Sequence, residues 1–502
     1  MQRLSSATLQ MVPGHIARPG YPRDNLPMRI VHLGAGAFHR SHQAVYTDDI
    51  MQAEPIWGMF SVSLRNPALA QALGPQDNLY TLLVRDNDAL QARIIGSIAR
   101  SACLQDDRQA VLDALVSPQT QIVTLTITPR GYHHDPVHDA LDVNDPDVGL
   151  DLNSPHNAGT AIGLLAWAIF QRKQLGLAPF TLLSCDNMAS NGKVLQRVLE
   201  HYIDHVQRDL GDQGLLQHFL DRYACPCSLV DRDTPTVRAG DLVQAETLLG
   251  LHDAAPVVTE PFSQWVIQDW FSAGRPPWEQ AGAIFTAHVL PYEQMHERLL
   301  GGAQCALACL GSAAGYKTTH QAMQVPEMAQ FIDSLMVDAA STLPRLVKPD
   351  WQDYKARLLR RFANVAVERS IPQLAMDTTL VLPGSIIQPM QLRLAHGLPI
   401  DRHALVVAAW IRCLTGLNER FEELFLNDPL RDELLAAVRK AGGRQANPHD
   451  LVDAVLQVEA VFGTSLPQDM EFTRCITAAL QSLLENRVVG ALSALNAADS
   501  VQ

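Results

Sequence analysis

Long apolar runs are absent from this chain, and so is the leader pattern of exported proteins. Its most apolar stretches, such as residues 404–410, are far shorter than the roughly 20 residues that cross a bilayer. The N-terminus carries Arg3 but no continuous apolar segment of the kind found in secretory signals. These absences predict a cytoplasmic protein that has no membrane partner.

Basic residues are scarce, and lysine is the scarcest of them. Lys and Arg number 39 against 53 Asp and Glu, the formal net charge is −14, and only six residues are lysine. Binding to a nucleic-acid backbone needs clustered Lys and Arg. The charge balance therefore argues against a nucleic-acid partner, whereas a local pocket for a small anion remains compatible with it.

Metal-binding patterns are missing as well. The eight cysteines are scattered and form no pair of CxxC motifs; the closest spacings are Cys225/Cys227 and Cys305/Cys309. His133, His134 and His138 lie near acidic residues, but in a predicted loop, where spacing alone fixes no ligand geometry. We therefore predict buried reduced thiols and no metal.

What is present is an alternation of strand and helix patterns. A β-rich run at residues 29–33 ends at glycines, helical spacing follows at 42–52, and a second strand pattern covers 57–64. This order opens a doubly wound α/β domain. Further strand patterns lie at residues 92–95, 121–128 and 180–184.

The composition changes near Pro291, after which helical periodicity dominates to the C-terminus. A chain of 502 residues also exceeds what one hydrophobic core usually supports. The sequence thus predicts two domains. The first is a Rossmann-like α/β domain at 1–287, and the second is an all-α domain at 288–502.

The run Gly34-Ala35-Gly36-Ala37-Phe38-His39-Arg40 lies between a strand and a helix. The first glycine permits a tight turn and the second lets a pyrophosphate approach the backbone at the helix N-terminus. His39 occupies the third glycine position of G-x-G-x-x-G, so an ordinary strand-to-helix turn remains an alternative. We interpret Gly34, Gly36, Phe38, His39 and Arg40 as cofactor-binding residues.

The choice between NAD and NADP stays open at this stage. An acidic residue for the ribose is expected at the end of the second strand, where the sequence reads Ser63-Leu64-Arg65-Asn66-Pro67. Arg65 is therefore a candidate for binding a 2′-phosphate, although it could equally be a solvated surface residue.

Several ordered motifs together resemble the mannitol dehydrogenase family, the long-chain polyol-specific dehydrogenases, and within it the mannonate oxidoreductase (fructuronate reductase) branch. They span the glycine loop and the first three-fifths of the chain: Gly34-x-Gly36-x-Phe38-His39-Arg40-x-His42-Gln43, Pro75-Gln76-Asp77, Thr126-x-Thr128-x-x-Gly131-Tyr132, Ser184-Cys185-Asp186-Asn187-x-x-x-Asn191-Gly192, Val230-Asp231-Arg232-x-Thr234-Pro235, Glu260-Pro261-Phe262 and Pro291-Tyr292-Glu293-x-Met295.

The resemblance implies a Rossmann-like domain and a helical domain, with NAD or NADP as cofactor, no metal, and substrate between the domains. Family members move a hydride between the nicotinamide and a secondary alcohol of a polyol or sugar acid. Asn187 matches an asparagine that holds the developing alkoxide. Asp231 and Arg232 match a motif on the substrate side, although they could instead form a structural ion pair.

The family's catalytic helix carries K-x-x-x-x-N-x-x-H, and all three positions differ in this chain. The register places His296 at the lysine, Gly301 at the asparagine and Gln304 at the histidine. The family's anion-gripping Arg and Lys fall at Gln373 and Val381. An imidazole can serve as a general base near neutral pH, and Gln304 lies about 80° around an α-helix from His296. We therefore predict His296, Asn187 and Gln304 as the catalytic set, the alternative being that His296 is a drifted helix residue.

Two functions follow from these matches and mismatches. The first is an NAD(P)-dependent oxidoreductase for a polyol- or sugar-acid-like substrate, with an altered base or an altered substrate. The second is a catalytically inactive family member that binds a nucleotide or sugar acid as a sensor or partner subunit. An isomerase or epimerase that uses a bound nucleotide is neither supported nor excluded. We expect a monomer or a weak homo-oligomer.

Overall fold

The computed structural model describes residues 1–87, 89–344 and 351–499. The chain forms two compact units, Met1–Leu290 and Pro291–Gln502. The predicted domain boundary after residue 287 lies close to this division. Each unit is described by itself below.

Thirteen strands are found in the described residues, all of them in the first unit. They are β1 (Met28–Leu33), β2 (Gly58–Ser63), β3 (Tyr80–Asp86), β4 (Ala89–Ile95), β5 (Ile98–Cys103), β6 (Ile122–Leu125), β7 (His134–Asp135), β8 (Ala140–Leu141), β9 (Thr181–Ser184), β10 (Ser228–Asp231), β11 (Val257–Thr259), β12 (Gln264–Gln268) and β13 (Ile284–Thr286).

The central sheet has five parallel strands in the order β5-β2-β1-β6-β9. The chain runs outward from β1 through β2 to β5 and then returns to β6 on the other side of β1. This reversal is a topological switch point, where open α/β sheets bind ligands beyond the carboxyl ends of the strands. The sheet therefore predisposes the ends of β1, β2 and β6 to form a site.

Apolar residues cover both faces of this sheet, as expected for parallel strands. Val31 and Leu33 of β1 face one hydrophobic cluster. Ile30 faces a second cluster, which includes Trp265 and Trp278. Because adjacent residues of a strand point to opposite faces, a nearly continuous apolar sequence is what such a strand requires.

Three smaller sheets complete the first unit: β10-β12-β13, β11-β3-β4 and the pair β7-β8. Its helices are α1 (Ala37–Ser41), α2 (Gln43–Met51), α3 (Ala68–Leu73), α4 (Arg108–Leu115), α5 (Pro146–Asn153), α6 (Ala161–Gln174), α7 (Asn191–Val206), α8 (Leu215–Arg222) and α9 (Ala239–Leu249).

The second unit is helical wherever the structure describes regular elements. Helix α10 (Leu290–Met295) leads into it and is followed by α11 (Gly302–Ala314), α12 (Thr319–Met323), α13 (Pro326–Ala340), α14 (Trp351–Ala363), α15 (Ile371–Leu374), α16 (Thr378–Leu382), α17 (Gln388–Ala395), α18 (Asp401–Leu414), α19 (Arg431–Lys440), α20 (Pro448–Leu456), α21 (Glu459–Phe462) and α22 (Met470–Asp499). Two π-helical turns, His296–Gly301 and Pro383–Ile387, interrupt the series.

The predicted fold class, a Rossmann-like α/β domain followed by an all-α domain, is confirmed by these elements. The strand predicted at 92–95 belongs to β4, which pairs outside the central sheet. No prediction covered β5, an edge strand of the central sheet, because Arg100 and Ser101 interrupt its apolar pattern. Within the described part of the chain, no helix is long and apolar enough to cross a membrane.

A buried arginine side chain hydrogen-bonds to the loops that precede strands β6 and β9 of the central sheet. Arg172, in α6, is 1% exposed. Its guanidinium donates hydrogen bonds to the carbonyl oxygens of Leu115, Ser117, Thr120 and Ala178 at distances of 2.5–3.3 Å. One side chain therefore satisfies the carbonyls that lead into both β6 and β9.

Replacing this guanidinium should destabilise the fold. We expect Arg172→Met to lower the free energy of unfolding by about 3 kcal/mol, because it leaves several buried carbonyls without a donor. Urea denaturation measures the change, and Arg208→Met, at an exposed position, is the matched control. An equal and small loss in both variants would contradict this account.

Candidate functional site

A cavity of about 930 Å³ lies beyond the carboxyl ends of β1, β2 and β6. Three short segments that follow these strands form much of its wall, together with residues near α5, α6 and β11. The lining residues of the three segments are Gly34, Ala35, Gly36, Ser63, Leu64, Arg65, Asn66, Thr126, Ile127 and Thr128. The cavity therefore coincides with the switch point of the sheet.

The two glycines of the loop are required for different reasons. Gly34 has φ +97°, and a Cβ atom there would lie 2.1 Å from the carbonyl oxygen of Thr126. Gly36 has an extended backbone, and its Cβ would meet no atom closer than the carbonyl oxygen of Gly34 at 3.7 Å. Gly34 is thus needed for the fold, whereas Gly36 keeps the cavity open to a ligand.

His39 lies beneath the loop rather than in the cavity wall. Its ring stacks on that of His32 with centroids 3.5 Å apart, and its Nε2 is 2.8 Å from the Ser61 hydroxyl. Burial lowers the pKa of His32 to about 3 and takes the pKa of His39 well below its ordinary value. These neutral, stacked rings fill the contact between helix and sheet that a third glycine normally serves.

Arg40 places a buried positive charge at the cavity. It is 7% exposed and lines the cavity wall. Its guanidinium donates to the carbonyls of Ala255 and Gly36 and lies over the ring of Tyr80. The buried Asp253 carboxylate acts on it electrostatically, but among the described residues Arg40 forms no salt bridge, so its guanidinium can still bind an anion.

The carboxylate of Asp186 joins the ends of β6 and β9. It accepts hydrogen bonds from the amides of Ile127 and Thr128 at 3.0 and 2.9 Å and from the Tyr132 hydroxyl at 2.7 Å. Burial raises its pKa, an effect that these three hydrogen bonds oppose. Asp186 was not predicted as a site residue, although it lies in the motif that contains Asn187.

Thr128, in this loop, has a backbone conformation that glycine normally adopts. Its φ is 64° and its ψ is 158°, and a non-glycine residue in that region is strained by roughly 1–3 kcal/mol. The bond from its amide to Asp186 holds it there. The strained residue lines the cavity.

Asn187 is exposed at the carboxyl end of β9. The loop behind it is fixed by Asn191, whose side-chain amide donates to the carbonyls of Asp186 and Ser228 and whose oxygen accepts from the Ser228 amide. A Cβ atom on the next residue, Gly192, would lie 2.4 Å from the carbonyl oxygen of Cys225. The motif around Asn187 therefore builds a rigid support for an accessible amide.

Phe38, Asp231 and Arg232 lie outside the cavity lining. Phe38 stacks on His42, and Asp231 is buried at the end of β10. The guanidinium of Arg232 donates to the main-chain carbonyls of Ser41 and Glu260, and burial lowers its pKa to about 10. These contacts favour structural roles, and substrate binding by Asp231 and Arg232 stays a prediction.

Arg65 is on the rim of the cavity and is 76% exposed. Its Nη2 atom lies 2.6 Å from the Oδ2 atom of Asp147. This carboxylate comes from a distant part of the sequence and was not predicted.

His296 and Gln304 belong to the second unit, whereas Asn187 belongs to the first. His296 begins the π-helical turn His296–Gly301, in which the Gly302 amide donates to the Glu297 carbonyl five residues back. A π turn holds one residue more than an α turn, so the angle between His296 and Gln304 is about 20° instead of the predicted 80°. Both side chains are half-buried and share one side of this helix.

Glycines let the two π-helical turns of the second unit pack closely. A Cβ on Gly301 would lie 3.3 Å from the Cβ of Ser385, and a Cβ on Gly302 would lie 3.2 Å from its carbonyl oxygen. A Cβ on Gly384 would collide with the carboxylate of Glu297. A larger side chain at position 301, where the resemblance expects asparagine, would therefore require Ser385 to shift by a few tenths of an ångström.

The two positions at which the family carries the Arg and Lys that bind the substrate also differ in this chain. Gln373 is exposed on α15, and Val381 on α16 is 42% exposed beside the exposed Leu380. This part of the surface is apolar where the resemblance expects a positive charge.

Sequence and structure comparisons agree with the geometry. A model of the mannitol dehydrogenase Rossmann domain matches residues 28–280, and one of the mannitol dehydrogenase C-terminal domain matches residues 288–484. The chain is 39% identical over 470 residues to an uncharacterized oxidoreductase of Escherichia coli (strain K12), with 93% of this chain and 95% of the relative covered. It is 34% identical over 486 residues to D-mannonate oxidoreductase of the same organism, with 96% and 98% covered.

Among solved structures, the chain resembles a mannitol 2-dehydrogenase of Pseudomonas fluorescens in its ternary complex with NAD and D-mannitol. The TM-score is 0.79 and the sequence identity 33%, with 98% of this chain and 99% of that chain covered.

Relieving the strain at Thr128 should not cost stability. We expect Thr128→Gly to leave the melting temperature unchanged or to raise it, because the relieved strain of about 1–3 kcal/mol offsets the extra backbone entropy of glycine. Calorimetric melting measures this, and Thr236→Gly, in an exposed loop, should lower the melting temperature. Equal losses in both variants would show that Thr128 is unstrained.

Proposed function

The chain belongs to the mannitol dehydrogenase family, and on this basis we propose that it is an NAD(P)-dependent oxidoreductase acting on a polyol- or sugar-acid-like substrate. The observation that carries the proposal is the cavity at the ends of β1, β2 and β6, with its glycine pair and the buried Arg40. The reaction is hydride transfer between the nicotinamide and a secondary alcohol carbon. We also propose that the protein acts as a monomer or a weak homo-oligomer.

The residues of the cavity fit a dinucleotide. Gly36 leaves its wall open, helix α1 begins directly after it, and Arg40 offers a guanidinium that forms no salt bridge among the described residues. A pyrophosphate is typically bound by the backbone amides at a helix N-terminus together with a nearby cationic side chain. The bound nicotinamide would supply the hydride chemistry.

Proton transfer, stabilisation of the alkoxide and substrate binding are assigned to side chains of this chain. We assign His296 as the general base that takes the proton of the substrate hydroxyl through an unprotonated ring nitrogen. The Asn187 amide donates a hydrogen bond to the oxygen on which negative charge develops, and Gln304 binds another polar group of the substrate. A positioned base contributes about 10²–10⁴ in rate, and an oxyanion donor a comparable factor.

The substrate should differ from those of relatives that carry the family's Arg and Lys. Gln373 and Val381 offer no positive charge for a carboxylate. This difference favours a substrate, or a substrate end, that is less anionic.

The second candidate is an inactive family member that binds a nucleotide or sugar acid as a sensor or partner subunit. The absence of the family's lysine, asparagine and histidine at positions 296, 301 and 304 favours it. The same change is also compatible with a rearranged active site built on His296.

Cofactor binding distinguishes a functional nucleotide site from a Rossmann-like domain that has only a structural role. We expect calorimetric titration to give micromolar affinity for NADH or NADPH. Gly36→Ala should fold normally yet bind at least about tenfold more weakly, because its methyl group occupies the path of the pyrophosphate. Gly74→Ala, where a Cβ meets open space, should bind normally. No heat and no thermal stabilisation with either dinucleotide would refute the proposal.

The role of His296 is tested on whichever substrate turns over. We expect His296→Ala to lower kcat/KM by about 10²–10⁴. His296→Lys should restore part of the rate, and His396→Ala, at an exposed position, should have no effect. Unchanged turnover in His296→Ala would mean that another group is the base.

A further inference from the structure

The end of β2 lacks the carboxylate that usually binds the adenosine ribose. The chain continues from Ser63 through Leu64, Arg65 and Asn66. An acidic residue at this strand end commonly accepts a hydrogen bond from the ribose 2′-hydroxyl, whereas an arginine there accommodates a 2′-phosphate. Arg65 by itself would therefore favour NADP(H).

The structure supplies a carboxylate at this place from another segment. Asp147 lies 82 positions further along the chain, and its Oδ2 atom is 2.6 Å from Nη2 of Arg65. Both residues line the 930 Å³ cavity, and their side chains are 76% and 50% exposed. A ligand in the cavity can thus reach both the cation and the anion.

The backbone of Asp147 is held in place by its neighbours. It lies in the first turn of α5, and Asp145 caps that helix by accepting from the amides of Asp147 and Val148 at 2.8 and 3.4 Å. The second oxygen of Asp145 bonds to His133 Nδ1 at 2.9 Å, and Val148 is 1% exposed. The fold therefore fixes the backbone of Asp147 beside the cavity, whereas the ion pair with Arg65 is weak at such exposure.

A second cavity of about 410 Å³ borders the first at this ion pair. The two share Leu64, Arg65, Asp147, Gly159 and Thr160. Arg108 lines the second cavity and has a buried Nη2 atom without a hydrogen-bond partner. Arg65 and Asp147 thus stand where the adenosine end of a dinucleotide would pass, with a further positive charge nearby.

We propose that Asp147 is the ribose-binding residue of this site and makes it select NAD(H) over NADP(H). The inference rests on the nucleotide binding proposed above. The carboxylate accepts a hydrogen bond from a free 2′-hydroxyl and repels a 2′-phosphate, and it neutralises the arginine that such a phosphate would need. Without it, Arg65 and Arg108 would both attract the phosphate.

The test compares the dissociation constants of NADH and NADPH by calorimetry for the intact chain and its variants. We expect the wild-type protein to bind NADH more tightly. Asp147→Asn should shift the NADPH/NADH ratio toward NADPH by about tenfold or more, since it removes one charge within a few ångströms of the phosphate. Asp113→Asn makes the same charge change at an exposed position outside both cavities and should leave the ratio unaltered.

A double variant tests whether Arg65 is the group that binds the 2′-phosphate of NADPH. Arg65→Ala in the Asp147→Asn background should cancel most of the gain for NADPH, which a double-mutant cycle reports directly. A wild-type preference for NADPH, or a ratio in Asp147→Asn equal to that in Asp113→Asn, overturns the role of Asp147 while leaving nucleotide binding intact. Failure of the wild-type protein to bind either dinucleotide overturns the proposed function and this inference together.

Discussion

The three hydrogen bonds to the Asp186 carboxylate are the constraint on which the candidate site depends. They tie the loop after β6 to the loop after β9, through the amides of Ile127 and Thr128 and the hydroxyl of Tyr132. This tie fixes the carbonyl of Thr126 against Gly34 and keeps Thr128 in a strained conformation. A buried carboxylate with three donors is stable only while all of them are present. The cavity wall formed by the loop after β6 therefore depends on the hydrogen bonds to Asp186.

The sequence predicted the elements whose patterns are local. Strands β1, β2, β6 and β9 are short apolar runs because both faces of the sheet are covered, and the glycine loop was evident between strand and helix. The edge strand β5 was missed because polar residues interrupt it. The strand at β4 was predicted, but its pairing with β3 in another sheet depends on contacts that periodicity does not encode.

The candidate site was only partly predictable for the same reason. Gly34, Gly36, Arg40 and Arg65 line the cavity, whereas Phe38 and His39 do not, and cofactor binding by these residues stays a prediction. Asp147 could not be found from spacing, since it meets Arg65 only through the fold. The π-helical turn at His296 could not be predicted either, because a helical sequence pattern predicts the 3.6-residue repeat of an α-helix.

Glycines allow close approach between the two π-helical turns of the second unit. A Cβ on Gly301 would lie 3.3 Å from the Cβ of Ser385, and the carboxylate of Glu297 fills the space beside Gly384. The changed catalytic positions on this helix fit the proposal that its chemistry differs from that of the family.

We propose that the protein transfers a hydride with His296 in place of the family's lysine. Incubation with NADH deuterated at the nicotinamide C4, a panel of ketoses and keto sugar acids, and mass spectrometry of the products tests it most directly. The account predicts deuterium at a secondary alcohol carbon of one substrate class, at a level that falls at least about a hundredfold in His296→Ala. Tight binding of NADH with no deuterium transfer to any member of the panel would contradict it and favour the role of a sensor or partner subunit.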